Sequence, residues 1–316
     1  MNDTTPIAFF IFNRPDLTKI IFRTISNARP SRLLVIADGP RKNIPEDLEN
    51  CEASREVITH VDWKCEVLTN YSEVNLGLKE RISSGLNWVF DNCDEAIILE
   101  DDCLPNQSFF KYCEQLLEFY RNEDQIMMVS GDNFQFGTKR GNYSYYFSRY
   151  FHIWGWATWK RAWQYYDVSM NKWPTLRDTS WLYELFKNKI IVNYWKIIFD
   201  DVYNGKINSW AYQWFFSGLV LKGLAVMPNV NLVSNLGFDT RATHTKNSKQ
   251  LLANIKTEKM IFPLQHPKEL TQNYEADIYS HYKLNENRIM RRIYKRLIGK
   301  FQLIMKTKIF RKIRPK

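Results

Sequence analysis

Glycine is sparse, twelve residues in 316, and no G-x-x-x-x-G-K run occurs. A loop that cradles phosphate with its own glycine-rich backbone is therefore excluded. No C-x-x-C pair is present, and the five cysteines are odd in number. That pattern suits reduced thiols and argues against a disulfide framework or a zinc site. No stretch reaches the roughly 18 apolar residues of a membrane span. The opening Met1-Asn2-Asp3-Thr4-Thr5-Pro6 lacks the basic start and apolar core of a signal peptide, so a cytoplasmic location is expected. No internal repeat is visible.

Basic excess is also missing from most of the chain, despite a formal net charge of +10. Residues 284–316 hold twelve Lys/Arg and one acid, and the preceding 283 residues hold 32 basic and 33 acidic side chains. A neutral body with a basic tail argues against a nucleic-acid groove spread over the fold. What the body does have is apolar material: 45% hydrophobic and 15% aromatic residues, ample for a core.

That material is arranged in runs. Ile7 to Phe12 is a six-residue apolar run, broken at Asn13-Arg14-Pro15 and followed by a helix with Leu17, Ile20, Ile21 and Ile25 on one face. Arg32 to Ala37 predicts a second strand ending in Asp38-Gly39-Pro40, a turn signal. A polar helix from about Pro45 to His60, a strand near Cys65 to Thr69 and a helix from Asn75-Leu76-Gly77 to about Phe90 come next. This alternation predicts an α/β fold with a mostly parallel, doubly wound sheet flanked by helices. Further on, Phe109 to Tyr120 reads as a helix and Ile126 to Val129 as a buried strand. Tyr143 to Trp163 is densely aromatic, and Trp181 to Val202 is helical. Leu224 to Val233 has strand character, and Pro228 inside it predicts an edge position. Asn235 to Ser248 is polar and is expected to be a mobile loop.

The chemistry gathers at Glu95-Ala96-Ile97-Ile98-Leu99-Glu100-Asp101-Asp102, where a buried strand runs into three carboxylates. Open α/β sheets bind ligands at the carboxyl ends of their strands. Asn13/Arg14, Asp38 and Glu100-Asp101-Asp102 therefore converge on one edge. Three adjacent acids repel and invite a cation, and oxygen-only ligands favour Mg2+ or Mn2+ over zinc. A permanent cation, an acid for an imide N–H or a ribose hydroxyl, and metal-binding carboxylates describe a nucleotide-diphosphate site. Each member also has a plain alternative: solvated acidic loop for the triplet, surface ion pair for Arg14, turn chemistry for Asp38 and Asp132.

Phe12-Asn13-Arg14-Pro15, Ala37-Asp38-Gly39, Asn75-Leu76-Gly77-Leu78 with Arg81, and Leu99-Glu100-Asp101-Asp102 with Pro105 and Phe109-Phe110 follow in order. Ser130-Gly131-Asp132-Asn133, Gly155-Trp156, Trp173-Pro174 and a late His244 complete the series. Over roughly residues 6 to 250 the chain resembles nucleotide-sugar glycosyltransferases of the GT-A fold, closest to the N-acetylglucosaminyltransferase I group and its bacterial relatives. The resemblance implies one GT-A domain over 1–283, with a donor half to about 105 and an acceptor half beyond, and then the basic tail 284–316.

It implies that Asn13, Arg14, Asp38, Gly39 and Arg81 hold the uridine end of a UDP-sugar, UDP-GlcNAc by default. Glu100 and Asp101 would meet the sugar and ribose, and Asp102 would ligate Mn2+ (or Mg2+) on the diphosphate, capped by His244. Asp132, Asn133, Gly155 and Trp156 would face a glycan or glycolipid acceptor. Inverting transfer needs a carboxylate base, expected within Ser209-Trp210-Ala211-Tyr212-Gln213-Trp214, where relatives commonly have Trp-Asp. Here Ala211 stands at that position, so another acid would have to take the proton, and Asp132, Asp178, Asp200 and Asp201 are the candidate bases. Weak or no transfer is expected.

The tail's cations interleave with Ile289, Ile293, Leu297, Phe301 and Ile304 at helical spacing. It predicts a basic amphipathic helix on an anionic membrane surface, hence a peripheral protein at the inner face of the cytoplasmic membrane. Two rivals stand beside the transferase: a sugar nucleotidyltransferase, which usually needs the missing Gly-rich loop, and a non-catalytic nucleotide-sugar-binding protein.

Overall fold

The computed structural model describes residues 4–238, 252–253 and 255–285. Strand β1 (Ile7–Ile11), helix α1 (Pro15–Ala28), β2 (Arg32–Ala37), α2 (Glu46–Glu56), β3 (Glu66–Tyr71), α3 (Leu78–Asn92) and β4 (Glu95–Glu100) follow in alternation. Every residue of β1 is buried. A strand covered by helices on both faces must be apolar throughout, which explains the unbroken run. Its end is set by Pro15 at the first turn of α1, where the missing N–H costs nothing.

The chain continues through β5 (Cys103–Pro105), α4 (Ser108–Phe119), β6 (Ile126–Ser130), β7 (Tyr145–Ser148), β8 (Trp156–Trp159) and α5 (Lys160–Trp163). Helices α6 (Trp173–Leu176), α7 (Trp181–Phe186), α8 (Lys189–Tyr203) and α9 (Ala211–Val220) lead to β9 (Leu224–Pro228) and β10 (Val233–Asn235). A helix over residues 274–285 ends the described chain. The stretch 181–202 is two helices, not one. Lys187 turns left-handed after α7, and Asn188 caps α8 by accepting from the N–H groups of Ile190 and Ile191 at 2.9 and 3.2 Å.

Eight strands form one sheet in the order β3-β2-β1-β4-β8-β6-β9-β7, and β10 pairs with β5 apart from it. The β3-β2-β1-β4 half is parallel. In the other half β8 runs antiparallel to β4 and β6, and β7 antiparallel to β9. After β3 the chain crosses to the far side of β1 to lay down β4, so a topological switch point lies between β1 and β4. Alternation along β1 sends Phe9 and Ile11 to a core shared with α1 and α4. Ala8 and Phe10 go to a core shared with α3, α5 and α9. A third core joins α7, α8 and α9 around Tyr150 and Trp173.

Two expectations are corrected. Strand β9 is interior, between β6 and β7, and Pro228 is tolerated because it is the strand's last residue. Residues 235–238 are not a free loop but the end of β10 followed by buried Gly237 and Phe238, and the rest of the expected loop, 239–248, lies outside the described residues. The five cysteines are unpaired. No helix among the described residues is long and apolar enough to cross a membrane.

Candidate functional site

The switch point carries the charges. Arg14, just after β1, donates through Nη2 to Asp101 Oδ1 and, at 3.1 Å, to Asp102 Oδ2 beyond β4. Phe12 N–H donates to Asp101 Oδ2 at 3.2 Å. Burial works against the Arg14 charge, but Asp101 and Asp102 more than offset it and raise its pKa. Burial pushes the Asp101 carboxyl up to about 6 despite Arg14. Glu100 is pushed higher, by burial first and then by repulsion from Asp102 and Asp101. Among the described residues no side chain hydrogen-bonds the Glu100 carboxylate. By strand alternation it shares the face of Ala96 and Ile98, the face that α3 and α9 cover.

Asp102 remains 16% exposed. Its Oδ1 accepts from Asn235 Nδ2 at 3.3 Å, and its carbonyl accepts from Leu236 N–H at 2.8 Å. Pairing of β10 with β5 sets this contact, with Asn235 opposite Cys103. A Cβ on Gly237 would lie 2.2 Å from Asp102 Oδ2, so glycine is what lets the segment close over the carboxylate. Asn235 and Gly237 were not legible as site residues. The available signal was the repeated tripeptide Asn-Leu-Gly, since Asn75-Leu76-Gly77 embraces Asp38 in a similar way.

Asp38 accepts from the N–H groups of Gly39, Leu76 and Gly77 at 2.9, 2.9 and 3.0 Å and from Asn75 Nδ2 at 3.0 Å. Its carboxylate thus holds the loop after β3 against the end of β2. A Cβ on Gly39 would meet the Val74 backbone at 2.5 Å, so this close approach needs glycine. Asn13 is likewise spent on the fold, donating to Asp47 Oδ1 at 2.7 Å. Arg81 is buried beside Asn70, to whose side chain it donates at 2.7 Å. Its Nε is buried without a partner, and burial lowers its pKa.

Arg14, Asp38, Arg81, Glu100 and Asp101, placed on four segments of sequence, line one cavity of about 170 Å3 together with Phe10, Phe12 and Asn75. It opens at the carboxyl edge of the parallel strands. A larger cleft of about 1100 Å3, lined by Pro6, Arg32, Glu66 and Glu95, lies at their amino-terminal edge. The strand-end charges there are paired, Arg32 with Glu66 and Glu95 with Arg121, and the carboxyl edge is where open sheets bind ligands.

The expected acceptor side is mostly built into the wall. Asp132 is 1% exposed and accepts from Ser130 Oγ at 2.9 Å and Trp154 N–H at 3.1 Å. Asn133 donates to the Pro228 carbonyl at 2.6 Å and accepts from Gln135 N–H at 2.8 Å. The Gly155 carbonyl accepts from Gly131 N–H at 2.8 Å. Trp156 is buried between Trp210 and Trp214, at ring distances of 6.0 Å to each. Ala211 is the first residue of α9 and packs at the border of the core that holds Ile98 and Trp156. Asp178 and Asp200 are taken up with Arg177, Asp200 also with Trp173 Nε1, and Asp201 with Lys206. His244 lies outside the described residues. Among those residues no three His, Cys, Asp or Glu side chains form a metal-binding group.

No family model matches the chain, and no curated protein matches it. Among solved structures it is similar to a mannosyltransferase from Pyrobaculum calidifontis in complex with GDP-Man and Mn2+, at 13% identity and a TM-score of 0.33. That match covers 48% of this chain and 44% of the other. It is similar to mouse xyloside xylosyltransferase 1, apo form, at 12% identity and a TM-score of 0.36, over 69% of this chain and 82% of the other. It is similar to a UDP-glucose pyrophosphorylase complexed with UDP-glucose, at 12% identity and a TM-score of 0.27, over 46% and 62%. The chain thus spans less than half of the mannosyltransferase and under two thirds of the pyrophosphorylase. Likenesses this distant say nothing of what this chain binds.

Proposed function

We propose that the chain is a GT-A-type glycosyltransferase, taking a sugar from a UDP-sugar and passing it to a hydroxyl of a cell-surface glycan or lipid-linked acceptor. The observation that carries this is the meeting of Arg14, Asp38, Arg81, Glu100 and Asp101 on one cavity beside the β1–β4 switch point. About 170 Å3 is smaller than the roughly 300 Å3 at which whole-ligand pockets begin. The cavity suits the base end of a nucleotide, with the diphosphate and sugar lying over the strand ends. Arg81 keeps one N–H unpartnered in that region. Asp38 acts by shaping the Asn75–Gly77 wall. Arg14 holds Asp101 and Asp102 in place rather than reaching outward.

Mn2+ or Mg2+ fits this donor set, because such ions commonly use one or two carboxylates plus substrate phosphates and need no larger protein cage. Asp102 would hold the ion with the donor diphosphate, and His244 is the expected second ligand. When bound, the ion offsets negative charge that builds on the leaving diphosphate. The chain's own residues supply orientation: Arg14 Nη2 bridges and fixes both aspartates, and Asn235 Nδ2 holds Asp102 Oδ1. A proton acceptor for the attacking hydroxyl is the weak point, since Ala211 at the head of α9 accepts nothing. That observation favours the second reading, a nucleotide-sugar-binding protein on a transferase fold.

Calorimetric titration with a panel of nucleotide sugars, in Mn2+ and then in EDTA, tests the donor site. Metal-dependent binding of one UDP-sugar is expected, and no binding to any of them overturns the proposal. Ala211→Asp then separates the two readings, because recovered turnover marks an enzyme and continued silence with intact donor binding marks a binder.

A further inference from the structure

The cleft of about 1100 Å3 at the amino-terminal edge of the sheet takes no part in the donor site. Strand β1 is five residues long, so the two edges lie about 17 Å apart. One wall of the cleft is the outward face of α4, where Lys111, Glu114, Gln115 and Glu118 recur at helical spacing. The polar stripe of a helix ordinarily faces open water. Here it shares the cleft with residues 4–6, the start of β2 and residues 263–266. Phe119, the last residue of α4, also lines it and is 58% exposed. One face of its ring stacks on His266, with centroids 4.2 Å apart and planes 13° from parallel, so the exposed surface belongs to the other face and the rim.

That stack is anchored in the core. His266 Nδ1 lies 2.7 Å from Tyr145 Oη, which lies 2.7 Å from Tyr120 Oη, and both tyrosines are buried. Gln265 N–H donates to Ser144 Oγ at 2.8 Å, and its carbonyl accepts from Ser144 N–H at 2.9 Å. The platform is therefore in place before any ligand arrives, with His266 Nε2 as the ring atom left for one. The charges around it are balanced. Arg32 pairs with Glu66 at 2.6 Å, and Arg121 with Glu95 and Glu118 at 3.0 and 2.7 Å. Lys111 sits 4.7 Å over the Phe262 ring. Glu114 and Gln115 are exposed and spend no hydrogen bond on another described residue. Gln115 lies one turn before Phe119 on the same helix face. Paired charges offer no field for a polyanion. A flat ring with one free face, beside amide, carboxylate and imidazole groups, matches a sugar: pyranose C–H groups lie on the ring and hydroxyls meet the polar side chains. The volume is beyond the roughly 300–1,000 Å3 of small-ligand pockets, which leaves room for several rings.

We propose that this cleft binds a neutral oligosaccharide, one ring stacked on the free face of Phe119 and its hydroxyls bonded by Gln115, Glu114 and His266. The cleft is separate from the donor cavity, so binding here needs neither nucleotide nor metal and is tested whether or not a nucleotide sugar binds. The full chain is titrated, by calorimetry and saturation-transfer NMR, with the tetrasaccharides of β1,4-glucose, β1,4-N-acetylglucosamine, α1,4-glucose and α1,6-mannose. Saturable binding of at least one is expected. Phe119→Ala should weaken it by about tenfold or more with thermal melting nearly unchanged, since most of the ring is exposed. Phe119→Trp should keep or strengthen it, and Phe119→Leu, apolar without a ring, should lose it as alanine does. Glu114→Ala with Gln115→Ala should weaken it by about fivefold or more with the fold intact. No binding of any tetrasaccharide, or equal binding by Phe119→Ala and the parent, overturns the proposal. Leucine serving as well as tryptophan overturns the stacked ring. Binding of an acidic oligosaccharide alone overturns the neutral occupant, and self-association abolished by Phe119→Ala would put a second copy of the chain in the cleft instead.

Discussion

Replacing Asp132 with asparagine should change the pH dependence of stability in one direction only. The carboxyl is 1% exposed, and burial pushes its pKa up to about 7, with Ser130 and the Trp154 N–H pulling only partly the other way. In an unfolded chain an aspartate titrates near 3.9. Between those values the folded protein keeps its proton while the unfolded chain has lost it. The native state is thus favoured most below about pH 4, loses stability as pH rises, and levels off above about pH 7. About three pH units of displacement correspond to at most ~4 kcal/mol.

Asparagine is neutral throughout. Its amide oxygen can accept from Trp154 N–H, and its NH2 can donate to Ser130 Oγ, so the local hydrogen bonds survive the exchange. Urea unfolding of parent and variant near pH 4, 6 and 8 provides the measurement. The stability of the variant relative to the parent should climb by about 2–4 kcal/mol from the lowest pH to the highest. Buried Asp101 and Asp277 and half-buried Glu100, also shifted upward, tilt both curves alike and cancel in the difference. A difference that stays flat would refute the argument.

Arg14→Met leaves Asp101 and Asp102 facing each other without their cation; about 3 kcal/mol of destabilisation is expected in thermal or urea unfolding. Asp38→Ala strips four donors of their acceptor and should cost about 3 kcal/mol while abolishing nucleotide binding by calorimetry. Gly237→Ala places a methyl against Asp102 Oδ2, so metal-dependent nucleotide binding should fall by about tenfold or more, with a loss of about 1–3 kcal/mol in urea unfolding. Unaltered binding in that variant would mean that Asp102 is not the diphosphate-side carboxylate.

The parallel half of the sheet was legible because its physics is local. Strands buried on both faces show as apolar runs, and each ends where turn residues begin. Both signals sit within a few positions of Ile7, Arg32 and Glu95. The antiparallel half was not. Strands β7 and β8 lie inside an aromatic stretch in which inward and outward positions are equally hydrophobic, so no period distinguishes strand from loop. Trp156 and Trp159 are placed by pairing with β4, some sixty residues earlier in the chain, a contact no local window contains. Pro228 misled for a related reason. A proline signals an edge only when it stands mid-strand, and the end of β9 is fixed by its partners.

The candidate site shows a sharper limit. An aspartate at a strand end has the same sequence signature whether its oxygens await a ligand or are already spoken for, and the distinction lies in partners contributed from afar. Asp38 spends its carboxylate on four donors, three of them from the loop after β3. Asn13 spends its amide on Asp47 and Asn133 on Pro228, so all three belong to the scaffold of the edge. Within the acidic triplet the three neighbours divide in the same way. Asp101 is held by Arg14 and Phe12, and Asp102 is shared between Arg14 and Asn235. Glu100 is left without a hydrogen-bonding side chain among the described residues, on the face that α9 covers. Alternation along β4 separates these roles: a residue shift of one carries a carboxylate from the α3–α9 side of the sheet to the other. The pocket that joins Arg14, Asp38, Arg81 and Glu100 is consequently a property of the β1–β4 crossover, and it would vanish if β4 paired anywhere but beside β1.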